Sequence, residues 1–495
     1  MKFILTLALL VCAQLTVAAD RPNVLFIALD DLRPELHCYG QTHIHSPNID
    51  QLAKGGVLFD RAYCQYPVCN ASRSSLMTGL RPDSTGVCNN SEHFRKRVPN
   101  VVTLPQHFKD NGYTTRCFGK LYHGAFEKAY VGREFDDPPS WSLQPWYGSP
   151  QYYFTKHGIE IARDVYGKKY HKSGAQLDDW KTEFVQGLAT EAPDVPDSTL
   201  YDGEATDRAI RALSELKGQP FFLAVGYIKP HLPFVAPKKY WDLYDRAGLP
   251  LPTPDAPPPN APVVALPRAL EVRVQYTDMR NQPFSEAQTR ELRHGYYACV
   301  SYTDALIGRL IQELDRLGLR ENTIIVLWGD HGYHLGEQDC WGKLTDFERA
   351  ARVPLIVSAP KAKSRDSKSR ALVELVDIYP SLCELAGLPM PSHLEGTSFA
   401  PLLDSPARPW KSAAFTQVVH GNATGRSLRT NRYRFTQWQH SKSPADTVAL
   451  ELYDHLKDPS ETDNIAARPE NAALIKELTA QLQAGWQSAR PITSH

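Results

Sequence analysis

The chain has 495 residues, 42% of them hydrophobic and 22% charged, enough for one large domain with a sizeable core and a smaller companion. With 55 Lys and Arg against 55 Asp and Glu, its formal net charge is zero. That balance excludes a global field drawing the protein to nucleic acid or to an anionic membrane, so any anion recognition must be built locally.

Residues 1–19 read as a secretory signal peptide. Lys2 precedes an apolar run from Phe3 to Cys12, and the small residues Ala18 and Ala19 mark a cleavage site, so the mature chain is expected to start near Asp20. No later apolar run approaches the ~20 residues that span a bilayer, so no stable membrane insertion is expected. The expected compartment is extracytoplasmic: periplasmic or secreted, or lysosomal-type in a eukaryote. Eight further cysteines (Cys38, Cys64, Cys69, Cys88, Cys117, Cys299, Cys340 and Cys383) show neither a CxxC pair nor zinc-ligand spacing. Disulfides are permitted outside the cytosol, and the spacing leaves their connectivity open.

Asn23 to Leu29, NVLFIAL, is a continuous apolar run of the kind that forms a strand buried on both faces, and it ends in Asp30-Asp31. Tyr113 to Lys120 repeats the pattern and runs on to His123, and Phe221 to Tyr227 runs on to His231. Thr323 to Trp328 precedes Asp330-His331, and a further strand starts at Val353. Ser285 to Leu317 reads as a helix, with Glu286 in its first turn and Gly318 just beyond it. Strands alternating with helices predict an α/β domain with a mainly parallel sheet sandwiched by helices. In such a sheet ligands bind beyond the carboxyl ends of the strands, so the polar residues named here should converge. The aromatic-rich stretch 125–205 reads as long excursions over that edge, and Pro250 to Pro262 as a Pro-rich connector.

After residue 408 the pattern changes to the short strands AAFTQVV, RSLRTNRYRFTQW and VALELYD, then a helix from Glu470 to Gln487. The expected division is therefore signal peptide 1–19, catalytic domain 20–408, and an α+β subdomain 409–495 with an antiparallel sheet.

Asp30, Asp31 and Asp330 bring three carboxylates from two strand ends, and His331 adds an imidazole. One Asp pair after a strand is common as a turn cap. Two such pairs at equivalent strand ends make a divalent-cation site, for which hard oxygen donors suit Ca²⁺ or Mg²⁺. Cys69 stands in CNASR, followed by a helical pattern expected to begin at Ser72 to Ser74 and by TGLRP. A structural thiol needs no such company.

The motif C-x-A-x-R with T-G-x-R-P resembles the signature of the formylglycine-dependent (type I) sulfatase family. PNVLFIALDDLR, SPNIDQLAKGGVLF, GDHGYHLGE and LYDHLKDPSETDNIA agree with it. The similarity covers most of the mature chain and is closest to the iduronate-2-sulfatase-like members, which carry His where many sulfatases have Asn, here His331. It implies an alkaline phosphatase-like fold and the oxidation of Cys69 to Cα-formylglycine by a formylglycine-generating enzyme. One hydroxyl of the hydrated aldehyde attacks sulfur and the other later expels sulfate. It also implies Ca²⁺ in preference to Mg²⁺ on Asp30, Asp31, Asp330, His331 and an oxygen of modified Cys69. Lys120 and His123 in GKLYH, His231 in KPHLPF and Lys343 in WGKLTDFE match the remaining sulfate-handling positions.

On that reading Lys120, Lys343 and Arg73 stabilise developing charge, each such donor contributing ~10²–10³ in rate. His231 is the acid for the leaving sugar hydroxyl and His123 the base; an ordinary histidine pKa of ~6.5 suits both near neutral pH. His334 and Trp341 flank the metal pair, either as sugar contacts or as packing. The implied substrate is a sulfated oligo- or polysaccharide, with iduronate 2-sulfate and exo action leading. A phosphatase or phosphodiesterase of the same superfamily, or a catalytically inactive glycan-binding relative, is the alternative. Tryptic cleavage at Arg61 and Arg73 yields a peptide holding Cys64 and Cys69. In protein from its native source this peptide is expected to take up one alkylating group and to show an aldehyde by mass spectrometry; two alkylated thiols would exclude the modification.

Overall fold

In a computed structural model of the chain, the described residues are 21–124, 136–148, 151–182, 185–267, 271–280 and 283–491. The expected signal peptide lies outside them. Seven strands make the main sheet: β1 Asn23–Leu29, β2 Val57–Tyr63, β3 Thr114–Gly119, β4 Phe221–Tyr227, β5 Thr323–Gly329, β6 Arg352–Ser358 and β7 Ser367–Glu374. Their order is β7-β2-β6-β5-β1-β4-β3. Only β6 runs antiparallel to its neighbours β2 and β5; the other pairings are parallel, so the sheet is mixed but mainly parallel.

Every residue of β1, β4 and β5 is buried, which is why these segments are continuously apolar rather than alternating. On one face, Leu25, Ile27 and Leu29 pack with helices α1 Pro47–Lys54, α4 Tyr201–Leu216 and α5 Glu286–Arg316. On the other, Val24, Phe26 and Ala28 pack with α2 Cys69–Thr78, α3 Leu104–Asp110 and α6 Ile378–Ala386. The result is a sheet between two helical layers. The start of α5 is fixed by a capping box in which Ser285 and Gln288 satisfy each other's backbone amides.

Within 125–205, residues 125–135, 149–150 and 183–184 lie outside the described residues. The rest is not all loop, as the sequence suggested: Lys156–Tyr170 is a helix whose Ala162 and Tyr166 pack with Tyr152, Tyr153 and Trp180 in a small separate core. That apolar stripe is narrow and interleaved with charge, which hid its helical period. The connector 250–262 carries neither helix nor strand. All eight described cysteines carry free thiols.

The C-terminal part holds an antiparallel meander of β8 Ala413–His420, β9 Ala423–Thr430, β10 Tyr433–His440 and β11 Ser443–Asp454, with α7 Ala472–Ser488 against it. The stretch RSLRTNRYRFTQW, read as one strand, is divided between β9 and β10. Thr430 Oγ1 accepts the amides of Arg432 and Tyr433 and so closes the turn between them. Val418, Ala423 and Trp438 join the core beneath the main sheet, so the meander shares that core.

A buried ionic cluster fastens this joint. Lys411 Nζ donates to Glu374 at 2.8 Å and to Asp377 at 2.6 and 2.7 Å, while Arg81 forks onto Glu374 at 2.8 Å. Lys411→Met strands two buried carboxylates with one cation. A loss of about 3–5 kcal/mol is expected in urea unfolding, against under ~0.5 kcal/mol for Lys238→Ala in an exposed pair.

Candidate active site

The hydrogen-bond ladder of the sheet continues past its strands. Asp30 N donates to Tyr227 O at 3.2 Å, Asp330 N to Leu29 O at 3.1 Å, and Lys120 N to Gly226 O at 2.8 Å. The residues that follow β1, β5 and β3 are therefore held in register as further rungs. Asp31 then turns with φ 62°, left-handed backbone that is uncommon for a residue with a Cβ.

The helix α2 starts at Cys69, three residues before the expected start. Val68 is extended and its carbonyl already accepts Ser72 N at 2.9 Å, which makes Cys69 the first residue of the first turn. All ten residues of α2 are buried. Its amino end, with its positive dipole, lies at the strand ends, where Asn70 N donates to Asn90 Oδ1 at 3.2 Å.

Asp30, Asp31, Cys69, Asp330 and His331 are 0% exposed and come together as the sequence reading required. Cys69 Sγ lies 3.3 Å from Asp30 Oδ1, 3.3 Å from His331 Nε2 and 3.4 Å from Lys343 Nζ. Lys120 bonds Asp30 Oδ2, and Lys343 donates to Asp31 Oδ1 at 2.8 Å. Arg73 Nε donates to Asp330 Oδ2 at 2.8 Å, and its Nη1 to the carbonyls of Lys120 and Leu121 at 2.8 and 3.0 Å. Arg73 thus ties the ends of β5 and β3 to the first turn of α2. Ser72 Oγ adds a bond to the carbonyl of Asp330.

Burial dominates the titration of this cluster. It holds the Asp31 carboxyl well above the usual range against the pull of Lys343, with Asp30 and Glu271 adding to the rise. Burial acts the same way on Asp30, but Lys120, His231, Arg73 and Lys343 together outweigh it and bring that carboxyl well below its ordinary value. Burial and Asp30 push the Cys69 thiol far up, so it is not a thiolate. His331 is lowered to about 4 by burial, and its Nδ1 meets the Gly332 carbonyl at 2.9 Å, which leaves Nε2 facing the cluster as a lone-pair donor.

His231 and His123 are also held well below the ordinary histidine value, by burial first and then by Lys343 and Lys120 respectively. The near-neutral pKa expected of both from sequence is not what this environment gives. His231 Nδ1 lies 2.6 Å from Leu232 O, and its Nε2 is 3.9 Å from Asp31 and 3.8 Å from Glu271.

The set fits a divalent cation on its own chemistry. Ligand atoms of Asp30, Cys69, Asp330 and His331 lie within 4.8 Å of one another, as do those of Asp30, Asp31, Cys69 and His231. Asp31 Oδ2 and Arg73 Nη2 are buried without a hydrogen-bond partner, an acceptor and a donor left for something the side chains alone do not supply.

His334 and Trp341, read from sequence as sugar contacts or as packing, both take buried, packed positions. His334 is fully buried with Nε2 2.8 Å from Thr345 Oγ1, and Trp341 is buried edge-on against Phe284. Both belong to the packed wall, because the loop between Gly332 and Gly342 folds inward as a short β-pair. Sequence reading missed Glu271, which reaches His231 and Lys343 from a short helix, Glu271–Gln275. No local motif marks it. It also missed Asp202, whose carboxylate accepts the amides of Ile228 and Lys229 at 2.9 and 2.8 Å and so supports the loop carrying His231. A lone Asp in the first turn of α4 reads as a helix-end charge.

A family model described as Sulfatase matches residues 22–388, and one described as N-sulphoglucosamine sulphohydrolase, C-terminal, matches residues 336–488. Iduronate 2-sulfatase of Mus musculus is 33% identical over 95% of this chain and 96% of its own length. Among solved structures, the phosphonate monoester hydrolase of Agrobacterium radiobacter shares the fold with a TM-score of 0.76 at 22% identity, covering 94% of this chain and 95% of that one. So does a protein solved with its substrate D-glucosamine-2-N,6-O-disulfate, with a TM-score of 0.73 at 21% identity, covering 96% of this chain and all of the other. With three-quarters of its length under the first model and a full-length relative at this identity, the chain belongs to the sulfatase family, whose members are sulfuric ester hydrolases.

Proposed function

We propose that the protein is an exo-acting carbohydrate sulfatase of the iduronate-2-sulfatase type, which removes a sulfate ester from a sulfated uronic acid or related sugar at the end of a glycan. The observation that carries it is the position of Cys69: first residue of a buried helix, its sulfur within 3.4 Å of a carboxylate, an imidazole and an ammonium. The full-length likeness to iduronate 2-sulfatase supports the sugar, and the disulfated glucosamine bound by a fold neighbour supports a glycosaminoglycan-type substrate.

In this reading Asp30, Asp31, Asp330 and His331 hold Ca²⁺. Mg²⁺ keeps several waters in strict octahedral geometry, which a fully buried set of three carboxylates does not favour. When bound, the cation withdraws charge from a sulfuryl oxygen and relieves the repulsion among the carboxylates. Cα-formylglycine made from Cys69 by a modifying enzyme supplies, as its hydrate, the hydroxyl nucleophile that a thiol with a raised pKa is not.

The chain's own residues do the rest. Lys120, which is buried, and Lys343, which is partly exposed, present ammonium groups where negative charge grows on the ester. Arg73 holds Asp330 and the β3 end in place. His231 Nε2 delivers a proton to the departing sugar oxygen; the negative ester raises its affinity for that proton relative to the free site. His123, kept neutral by burial and Lys120, accepts the proton that releases sulfate. Residues 20–408 are proposed to carry this chemistry and 409–495 to brace it. An extracytoplasmic location follows from the sequence of residues 1–19, and among the described residues no helix is long and apolar enough to cross a membrane.

A phosphate-ester hydrolase is the second reading, favoured by the fold shared with phosphonate monoester hydrolase. Turnover of a panel of sulfated di- and oligosaccharides, including iduronate 2-sulfate ends and marine-polysaccharide fragments, beside aryl sulfate and aryl phosphate, separates the two. Sulfate esters are expected to dominate, with a terminal 2-sulfated uronate preferred; dominant phosphate turnover would overturn the proposal. Lys343→Ala should lower kcat/KM for sulfate esters by ~10²–10³. Chelation should lower both activity and the melting temperature, and Ca²⁺ should restore them better than Mg²⁺ at equal concentration, since an ion that binds only the folded state stabilises it.

A further inference from the structure

Glu271 stands apart from the site's other acids. Its carboxylate lies 3.8 Å from His231 Nε2 and 3.8 Å from Lys343 Nζ, so it faces both groups placed on the ester. Both contacts are longer than a hydrogen bond and leave the carboxylate's lone pairs for another donor. Its side chain is 19% exposed, whereas Asp30, Asp31 and Asp330 are 0% exposed, so it belongs to the side from which substrate enters.

The short helix that carries it is anchored. Val272 is fully buried, Arg273 donates to Asp339 at 2.7 Å, and the same guanidinium lies 4.6 Å from the Phe284 ring centre. Gly342, at φ 134°, has the Cβ of Glu271 as the nearest atom to where its own Cβ would stand, at 3.9 Å. The chain entering Lys343 therefore runs directly beside Glu271.

The geometry points to Glu271 as a specificity-determining residue that accepts a hydrogen bond from a free hydroxyl on the carbon next to the sulfated one. This rests on the sulfatase reading above, in which His231 Nε2 meets the ester oxygen. A group adjacent to that oxygen would then sit beside the His231–Glu271 pair, within reach of both, since the two are 3.8 Å apart. A hydroxyl there donates to the carboxylate; a second sulfate there faces a like charge, with Lys343 already engaged by the first. The site therefore selects sugars sulfated at one of two neighbouring carbons and disfavours the vicinal disulfate.

The test compares kcat/KM for two matched sugars, one with a free hydroxyl beside the sulfate and one with that hydroxyl also sulfated, in wild type, Glu271→Gln and Glu271→Ala. Wild type is expected to prefer the free hydroxyl by roughly 10- to 100-fold, the range of a hydrogen bond to a charged group. Both variants should collapse that ratio, chiefly through better turnover of the disulfate. Circular dichroism confirms that each variant is folded. An unchanged ratio with sulfate-ester turnover intact overturns this assignment alone. Loss of all sulfate-ester turnover in wild type, with phosphate turnover present, overturns the underlying reading and this assignment with it.

Discussion

Three carboxylates share one water-free space, and the rest of the site is arranged around keeping them there. Like charges a few ångströms apart in a poorly polarisable interior repel strongly, and each also loses its hydration. The chain answers with three cations, Lys120 on Asp30, Lys343 on Asp31 and Arg73 on Asp330. Each comes from a different part of the sequence. The folded site is in effect a cage of paired charges, and Asp30, Asp31, Asp330 and His331 are the groups that would hold a divalent ion there.

Such a cage needs a stiff frame, which the sheet provides. Residues beyond the last formal positions of β1, β3 and β5 still take part in the ladder, so the site inherits the register of the sheet rather than the freedom of its loops. Arg73 and Ser72 bolt the first turn of α2 to the same rungs. On the opposite side, Asp202 holds the backbone leading to His231, and Arg33 forks onto Glu337 at 2.9 and 3.1 Å to join the loops after β1 and β5. The positions of the clustered side chains are therefore set largely by bonds to the backbone that carries them.

Much of this was legible in the amino-acid order. Buried parallel strands announce themselves as unbroken apolar runs, and a polar pair directly after each run can go only to one edge of the sheet. That logic located Asp30, Asp31, Lys120, His231, Asp330 and His331. Cys69 was found by its motif. Glu271 was invisible because its partners are 40 and 72 positions away and its own short helix carries no motif. For His334 the sequence left sugar contact and packing open, and the β-pair formed after Gly332 buries it beside Thr345. The helix 156–170 was missed because charge interleaves its narrow apolar stripe, and the turn at Asn431-Arg432 because Thr430, a good strand residue, closes it with its side chain.

The complete enclosure of α2 has a bearing on how the protein comes into being. A sulfur with no surface at the base of a closed helix offers no approach to any macromolecular catalyst once sheet and helices have packed. Any enzyme that exchanges that sulfur for oxygen has to work on the emerging polypeptide, while residues 66–78 are still an accessible strand of chain. On the proposed conversion of Cys69, covalent editing would compete with folding, and a molecule that folded first would keep its thiol.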